Sequence, residues 1–194
     1  MGEGQSLIVL DRDGVLNALI ENPAEPRPDS PLHTAEVIVF PWVPNVLRDL
    51  TRAGYDIVIA SNQPAAAKGK TTRAELQAVH AAVVLAATAA GGVILSSHIC
   101  YHRAEDRCTC RKPATGLLAE AFARHAGYDI ASSWMAGDRA PDIIAGVTFG
   151  LKTAYLGARG ADEEAALAAK GIVPTFVGDD LRDFARMLLT NGHT

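Results

Sequence analysis

Four apolar residues, Leu7-Ile8-Val9-Leu10, run directly into Asp11-Arg12-Asp13-Gly14. A strand of an open α/β sheet delivers whatever follows its carboxyl end into the ligand crevice of the sheet. Asp11 is therefore placed to attack phosphorus, and Asp13, two residues on, to handle the proton. A carboxylate approaching a phosphate dianion meets like-charge repulsion, so the site needs a hard divalent cation. Magnesium suits it, because that ion takes oxygen ligands and keeps several waters. A second run, Trp134-Met135-Ala136-Gly137, leads into Asp138-Arg139-Ala140-Pro141-Asp142 and offers Asp138 as a further ligand. The transferring oxygens also need donors and a fixed positive charge, since charge stabilisation carries most of the barrier lowering in such reactions. Ser61-Asn62-Gln63, directly after Asp56-Ile57-Val58-Ile59-Ala60, and Lys112 in Cys110-Arg111-Lys112-Pro113 supply them. Singly, each signal has a plainer reading: Asp-x-Asp as a solvated turn, Gly-Asp as a glycine turn with a capping carboxylate.

Their order is more specific. Strand-Asp-x-Asp, strand-Ser-Asn-Gln, Arg-Lys-Pro and strand-Gly-Asp-x3-Asp, in that sequence, resemble the four motifs of the haloacid dehalogenase-like phosphohydrolases, from about Leu7 to Gly157. The resemblance implies that Asp11 is a nucleophile forming an aspartyl-phosphate. It makes Asp13 the acid that protonates the leaving alkoxide and then the base that activates water. Magnesium is implied on the carboxylates of Asp11 and Asp138 and on the main-chain oxygen at Asp13. Ser61 and Lys112 match the residues that steady the phosphoryl group. Asp142 is expected to orient Lys112 or a metal-bound water. Asn62, Gln63, Arg111 and Arg139 are expected to hold the rest of the substrate; a surface salt bridge is the competing reading for Arg139.

Cys100-x-His102 and Cys108-x-Cys110 form two ligand pairs around the polar loop Arg103-Ala104-Glu105-Asp106-Arg107. In an extended segment residues two apart share a face, so each pair can aim both donors at one point and close a tetrahedral structural zinc site. A cysteine is commonly only a small buried hydrophobe. Here, however, all three cysteines fall within eleven residues beside a histidine. His98, on the same strand face, is a rival ligand. The ion would supply folding energy to a loop too small for its own core, and would hold Arg111 and Lys112 toward the crevice. This insert resembles the branch that contains D-glycero-D-manno-heptose 1,7-bisphosphate phosphatases and histidinol-phosphate phosphatases. Asp11 to Asn17 and Ser61-Asn62-Gln63-x4-Lys68-Gly69 are more similar to the heptose enzymes; the five-residue ligand loop and Gly-Asp-Arg-Ala-x-Asp-Ile are more similar to the histidinol type. The heptose reading is favoured, with histidinol phosphate as the alternative. A non-catalytic, zinc-stapled sugar-phosphate binder is the alternative of another class.

Departures bear on the substrate. Residues 18 to 36 carry Pro23, Pro26, Pro28 and Pro31, which suits either an irregular substrate-reading loop over the site mouth or a plain surface insertion. Pro64 follows the Ser61 turn, and Lys68 stands where a guanidinium is commoner, which grips a phosphate differently. The 194 residues, 48% hydrophobic and 21% charged, suit one phosphohydrolase domain, 1–194, with the zinc loop at about 100–110. A net charge of −4 speaks against a nucleic-acid partner. Residues 81 to 90 are too short an apolar stretch to span a bilayer, and Met1 to Ser6 lack a signal-peptide pattern. Thiols in metal spacing suit a reducing compartment. The expected partner is thus a small sugar phosphate, and the expected setting a cytoplasmic monomer.

Strand-like and helix-like segments alternate. Helices are expected near 44–53, 72–89, 114–125, 141–148, 162–170 and 181–189, with Thr71-Thr72 and Glu75 capping the second. Further strands are expected at 56–60, 93–99, 133–136, 152–156 and 175–177. This alternation predicts an α/β, Rossmann-like parallel sheet with helices on both faces. No long insert forms a cap, so the expectation is a capless core with a zinc-binding loop. Trp42 and Trp134 read as core, His33, His80, His125 and His193 as surface or helix positions, and Asp179-Asp180 as a helix N-cap.

Overall fold

The computed structural model describes residues 5–21 and 28–191; Pro23, Pro26 and His193 lie outside them. Six strands, β1 (Leu7–Leu10), β2 (Asp56–Asn62), β3 (Ser96–Cys100), β4 (Trp134–Gly137), β5 (Lys152–Leu156) and β6 (Phe176–Gly178), form one sheet in the order β3-β2-β1-β4-β5-β6. Every pairing is parallel. The helices are α1 (Val43–Arg52), α2 (Arg73–Ala87), α3 (Gly116–Arg124), α4 (Ala140–Phe149), α5 (Ala161–Ala168) and α6 (Leu181–Asn191).

The opening strand is apolar throughout because both faces of the sheet are covered. Ile8 and Leu10 pack with Leu47 and Leu50 of α1, Val83 of α2 and Phe184 of α6. Leu7 and Val9 point the other way, into a cluster with Leu117 and Ala121 of α3 and Ala145 of α4. Strand β1 pairs with β2 on one side and β4 on the other. The chain therefore winds outward from β1 in one direction and then resumes on its other flank. Where that order reverses, the carboxyl ends of two adjacent strands open a crevice.

Local signals explain the boundaries. Pro44 sits in the first turn of α1, where its missing N–H costs nothing. Thr72 caps α2 by accepting from Glu75 N at 3.1 Å. Gly150, at φ +97, closes α4 in the left-handed conformation. Asp180 accepts from Arg182 N at 2.7 Å at the start of α6. The strand predicted from residue 93 starts at Ser96, where pairing with Val58 of β2 begins; Val93 and Leu95 are exposed, and Leu95 N–H still donates to Ile57 O at 2.8 Å. Trp134 is buried, whereas Trp42 is only half-buried, stacked on Phe40 with the Arg182 guanidinium 4.2 Å from its ring centroid. Among the described residues no helix is long and apolar enough to cross a membrane.

His80, on α2, is half-buried, and its Nδ1 has no partner among the described residues. Burial, followed by the nearby Arg12 cation, pushes its pKa down to about 4, against a smaller pull from Asp13. The unfolded chain thus takes up a proton that the folded one refuses. The contribution is complete above the unfolded value near 6.5 and is lost as pH falls from there toward 4. His80→Gln is expected to flatten that limb of the stability curve in denaturant titrations at stepped pH; a limb identical to the parent's would refute the assignment.

Candidate active site

Asp11 leaves β1 with its N–H donated to Ala136 O of β4 at 2.9 Å, so the first acidic residue is tied to the strand that delivers Asp138. Gly14 turns the chain at φ +81, and a Cβ built there would collide with the Asp138 carboxylate. Glycine is needed both for the conformation and for that close approach. Carboxylate oxygens of Asp11, Asp138 and Asp142 all lie within 4.8 Å of one another. Asp138 Oδ1 is buried without a hydrogen-bond partner among the described residues. Burial, then the charges of Asp11 and Asp142, push Asp138 up to about 8. Crowded hard oxygens, one of them orphaned, are a donor set that fits a divalent cation of the magnesium type.

Lys112 is buried, and its ammonium reaches Asp11 Oδ1 at 3.1 Å, Asp142 Oδ1 at 2.6 Å and Ala60 O at 2.6 Å. Burial alone would discharge it; Asp11 and Asp142 outweigh that and raise its pKa. Asp142, fully enclosed, is pushed up to about 6 by burial, with Lys112 pulling it back. Of the two tasks expected of Asp142, holding Lys112 is the one seen in the hydrogen bonding. Asn62 brackets the Lys112 backbone, its Nδ2 donating to Lys112 O at 3.0 Å and its Oδ1 accepting from Lys112 N at 3.1 Å.

Asp13 is the most heavily bonded side chain of the site. The buried Arg12 guanidinium grips it through Nε at 3.1 Å and the adjacent terminal nitrogen at 2.9 and 3.0 Å. Asn17 Nδ2, Ser30 Oγ and Gln63 Nε2 also donate to it, at 2.9, 2.9 and 2.5 Å. Gln63 bonds Ser61 Oγ at 2.9 Å as well. The amides of Asn62 and Gln63, both expected on substrate, are thus engaged within the protein, although Asn62 still lines the cleft. Ser61, Lys68, Arg111 and Arg139 line the same cleft. Arg111 donates to His102 O at 3.3 Å, and Arg139 Nε to Glu163 at 2.8 Å.

The described ends of the proline-bearing segment lie at this mouth. Ile20 and Asp29 pair as an antiparallel bridge, with N–H···O distances of 2.8 and 3.0 Å. Leu19, Pro28, Asp29 and Ser30 line the cleft, and Lys70 binds Asp29 at 2.9 Å. Residues 22–27, with Pro23 and Pro26, are not described. Arg12, Asn17, Ser30 and Glu163 were not singled out from sequence. Arg12 did carry a signal, as a cation confined between two acids at a buried strand end. Ser30 and Glu163 reach the site only through tertiary folding.

Cys100, His102, Cys108 and Cys110 converge beside it, their donor atoms within 4.8 Å. The sulfurs are 3.2 to 3.7 Å apart, and His102 Nδ1 lies 3.3 Å from Cys110 Sγ and 3.6 Å from Cys100 Sγ. A tetrahedron with Zn–S bonds of about 2.3 Å has edges of about 3.8 Å, so the cluster has the size of one zinc ion. Burial and then the neighbouring sulfurs push Cys110 up to about 12; a cation at the centre is what makes several thiolates compatible. His98 is not among these donors. It is buried beside α3, with Nδ1 3.3 Å from Glu120 and Nε2 2.9 Å from Ser96 Oγ, which also bonds His125.

The HAD-hydrolase-like family model matches residues 109–184. The D-glycero-beta-D-manno-heptose-1,7-bisphosphate 7-phosphatase of Pseudomonas putida is 31% identical over 188 residues, 94% of this chain and 99% of that one. The crystal structure of D,D-heptose 1.7-bisphosphate phosphatase from B. bronchiseptica, complexed with magnesium and phosphate, superposes with a TM-score of 0.80 at 30% identity, covering 96% of this chain and 99% of that one. The histidine biosynthesis bifunctional protein HisB of Campylobacter jejuni is 30% identical over 150 residues, 76% of this chain but only 40% of its own length. With the four motifs brought to one switch point and relatives matched along nearly their whole length, the chain belongs to the haloacid dehalogenase-like phosphatases.

Proposed function

We propose that the protein hydrolyses D-glycero-D-manno-heptose 1,7-bisphosphate at its primary phosphate, retaining the anomeric one, through a phospho-Asp11 intermediate. The observation that carries the chemistry is the convergence of Asp11, Asp13, Asp138 and Lys112 on one crevice. The identity of the sugar leans on the heptose-bisphosphate phosphatases that match end to end.

In the first half-reaction an Asp11 oxygen bonds phosphorus, the bond to the sugar oxygen breaks, and the departing alkoxide takes a proton from Asp13. In the second, Asp13 removes a proton from water, whose oxygen bonds phosphorus as the Asp11 linkage breaks and phosphate leaves. Asp11, Asp138 and the main-chain oxygen of Asp13 would hold magnesium, which when bound offsets the repulsion between carboxylate and phosphate. Lys112 and Ser61 balance the charge on the phosphoryl oxygens. Arg12, Asn17 and Gln63 fix the Asp13 carboxylate, and Asn62 fixes the backbone of Lys112; we assign these four to positioning. Arg111 and Arg139 hold the remainder of the substrate. Cys100, His102, Cys108 and Cys110 hold a structural zinc.

The five-residue ligand loop and the HisB relatives favour histidinol phosphate as a second reading. Phosphate release from heptose 1,7-bisphosphate, other sugar mono- and bisphosphates and histidinol phosphate, with and without magnesium, separates them. The heptose bisphosphate is expected to show the highest kcat/KM, by about tenfold or more over histidinol phosphate. Preference for histidinol phosphate would replace the first reading by the second, and failure on both would reject both.

A further inference from the structure

Glu163, in the first turn of α5, lies 24 residues beyond Arg139 and outside every motif that identifies the site. Its Oε1 accepts from Arg139 Nε at 2.8 Å, and its Oε2 accepts from Ala140 N at the start of α4. The Glu163 side chain is largely enclosed, 16% exposed, while the Arg139 side chain is 41% exposed. One oxygen is thus pinned to a rigid helix end, and the other fixes the guanidinium by its inner edge. The two terminal nitrogens of Arg139 have no partner among the described residues. Arg139 lines both the catalytic cleft and an adjoining hollow bounded by Leu19, Pro28, Gly160 and Ala161.

We infer that Glu163 is a positioning residue: it presents the outer fork of Arg139 to a second anionic group of the substrate, remote from the phosphorus under attack. A guanidinium recognises a phosphate through two parallel N–H donors, and that geometry is lost when the plane is free to rotate. Leu19 and Pro28 would face the uncharged carbons between the two anions. Glu163 thereby sets a preference for bisphosphorylated over monophosphorylated sugars. This rests on the reading of Arg139 as a substrate arm.

The test combines Glu163→Gln, Arg139→Met and the double variant, assayed with heptose 1,7-bisphosphate and with p-nitrophenyl phosphate, which lacks a distal anion. Glu163→Gln is expected to raise KM for the bisphosphate about tenfold, with kcat and the aryl-phosphate KM each changing less than about twofold. In the Arg139→Met background the same change should add less than about twofold. Equal losses on both substrates, or a full effect without Arg139, would overturn the inference. Nitrogen-15 spectra of the free protein supply a readout independent of turnover: the Arg139 Nε–H resonance is expected to shift and exchange faster in Glu163→Gln. An unchanged resonance overturns the positioning role. A wild-type protein that turns over p-nitrophenyl phosphate but not the bisphosphate would instead reject the heptose reading, and with it the bisphosphate preference, leaving the resonance to decide on Glu163.

Discussion

Replacing Asp11 by asparagine is expected to lower kcat by about four orders of magnitude or more while leaving the folded state intact, since the change removes the proposed nucleophile and nothing else of comparable weight. The side chain keeps its size and can still accept the bond from Arg12 N that now measures 2.7 Å. Lys112 keeps Asp142 at 2.6 Å and Ala60 O at 2.6 Å, so its charge is not stranded. The three acidic groups lose one charge, which relieves the repulsion that helps to raise Asp138. The melting temperature should therefore hold or rise as turnover collapses. A phosphorus mimic such as beryllium fluoride should form its adduct at Asp11 in the parent and fail to do so in the variant. A non-catalytic binder would be indifferent to the substitution, and turnover that survived it would end the phospho-Asp11 proposal.

How the sequence foretold this arrangement, and where it stopped, follows from the range of the interactions. Strand ends were legible because Leu7 to Leu10 and Trp134 to Gly137 are apolar on both faces and are followed at once by acids. In a parallel sheet covered on both sides such a junction has few other places to be. Ligand pairs two residues apart were legible for the same reason, since the extended backbone alone aims Cys100 and His102 together. The direction in which the Asn62 and Gln63 amides turn was not, because each has partners about fifty residues away, on Lys112 and Asp13. Ser30 reaches Asp13 only because the register of Ile20 against Asp29 brings it there. No local pattern in the sequence encodes that register. His98 shared a strand face with Cys100 and so looked like a ligand, yet α3 packs on that face and offers it Glu120 instead.

Stripping the Cys/His cluster of zinc is expected to lower the melting temperature by about 10 °C or more, the effect of a few kcal/mol in a domain of this size, and to cut turnover by about two orders of magnitude. The loop has little else to hold it. His102, Arg103, Ala104, Glu105, Asp106 and Arg107 are exposed, and the Arg103–Asp106 ion pair at 3.5 Å is a surface contact of small worth. Cys100 is the buried end of the cluster, anchored in β3, so an ion bound there would tie the loop back to the sheet. Arg111 N donates to Cys108 Sγ at 3.4 Å, and Lys112 follows one residue later. Loss of such an ion would therefore free the approach to Lys112, the cation that bridges Asp11 and Asp142. Asn62 still brackets the Lys112 backbone, which should keep the damage short of that caused by removing the nucleophile. Cys108→Ser together with Cys110→Ser, assayed in excess magnesium, separates this effect from loss of the catalytic ion. Added zinc should restore the parent protein after chelation but not the double variant. An unchanged melt in protein shown by elemental analysis to be zinc-free would refute the structural role.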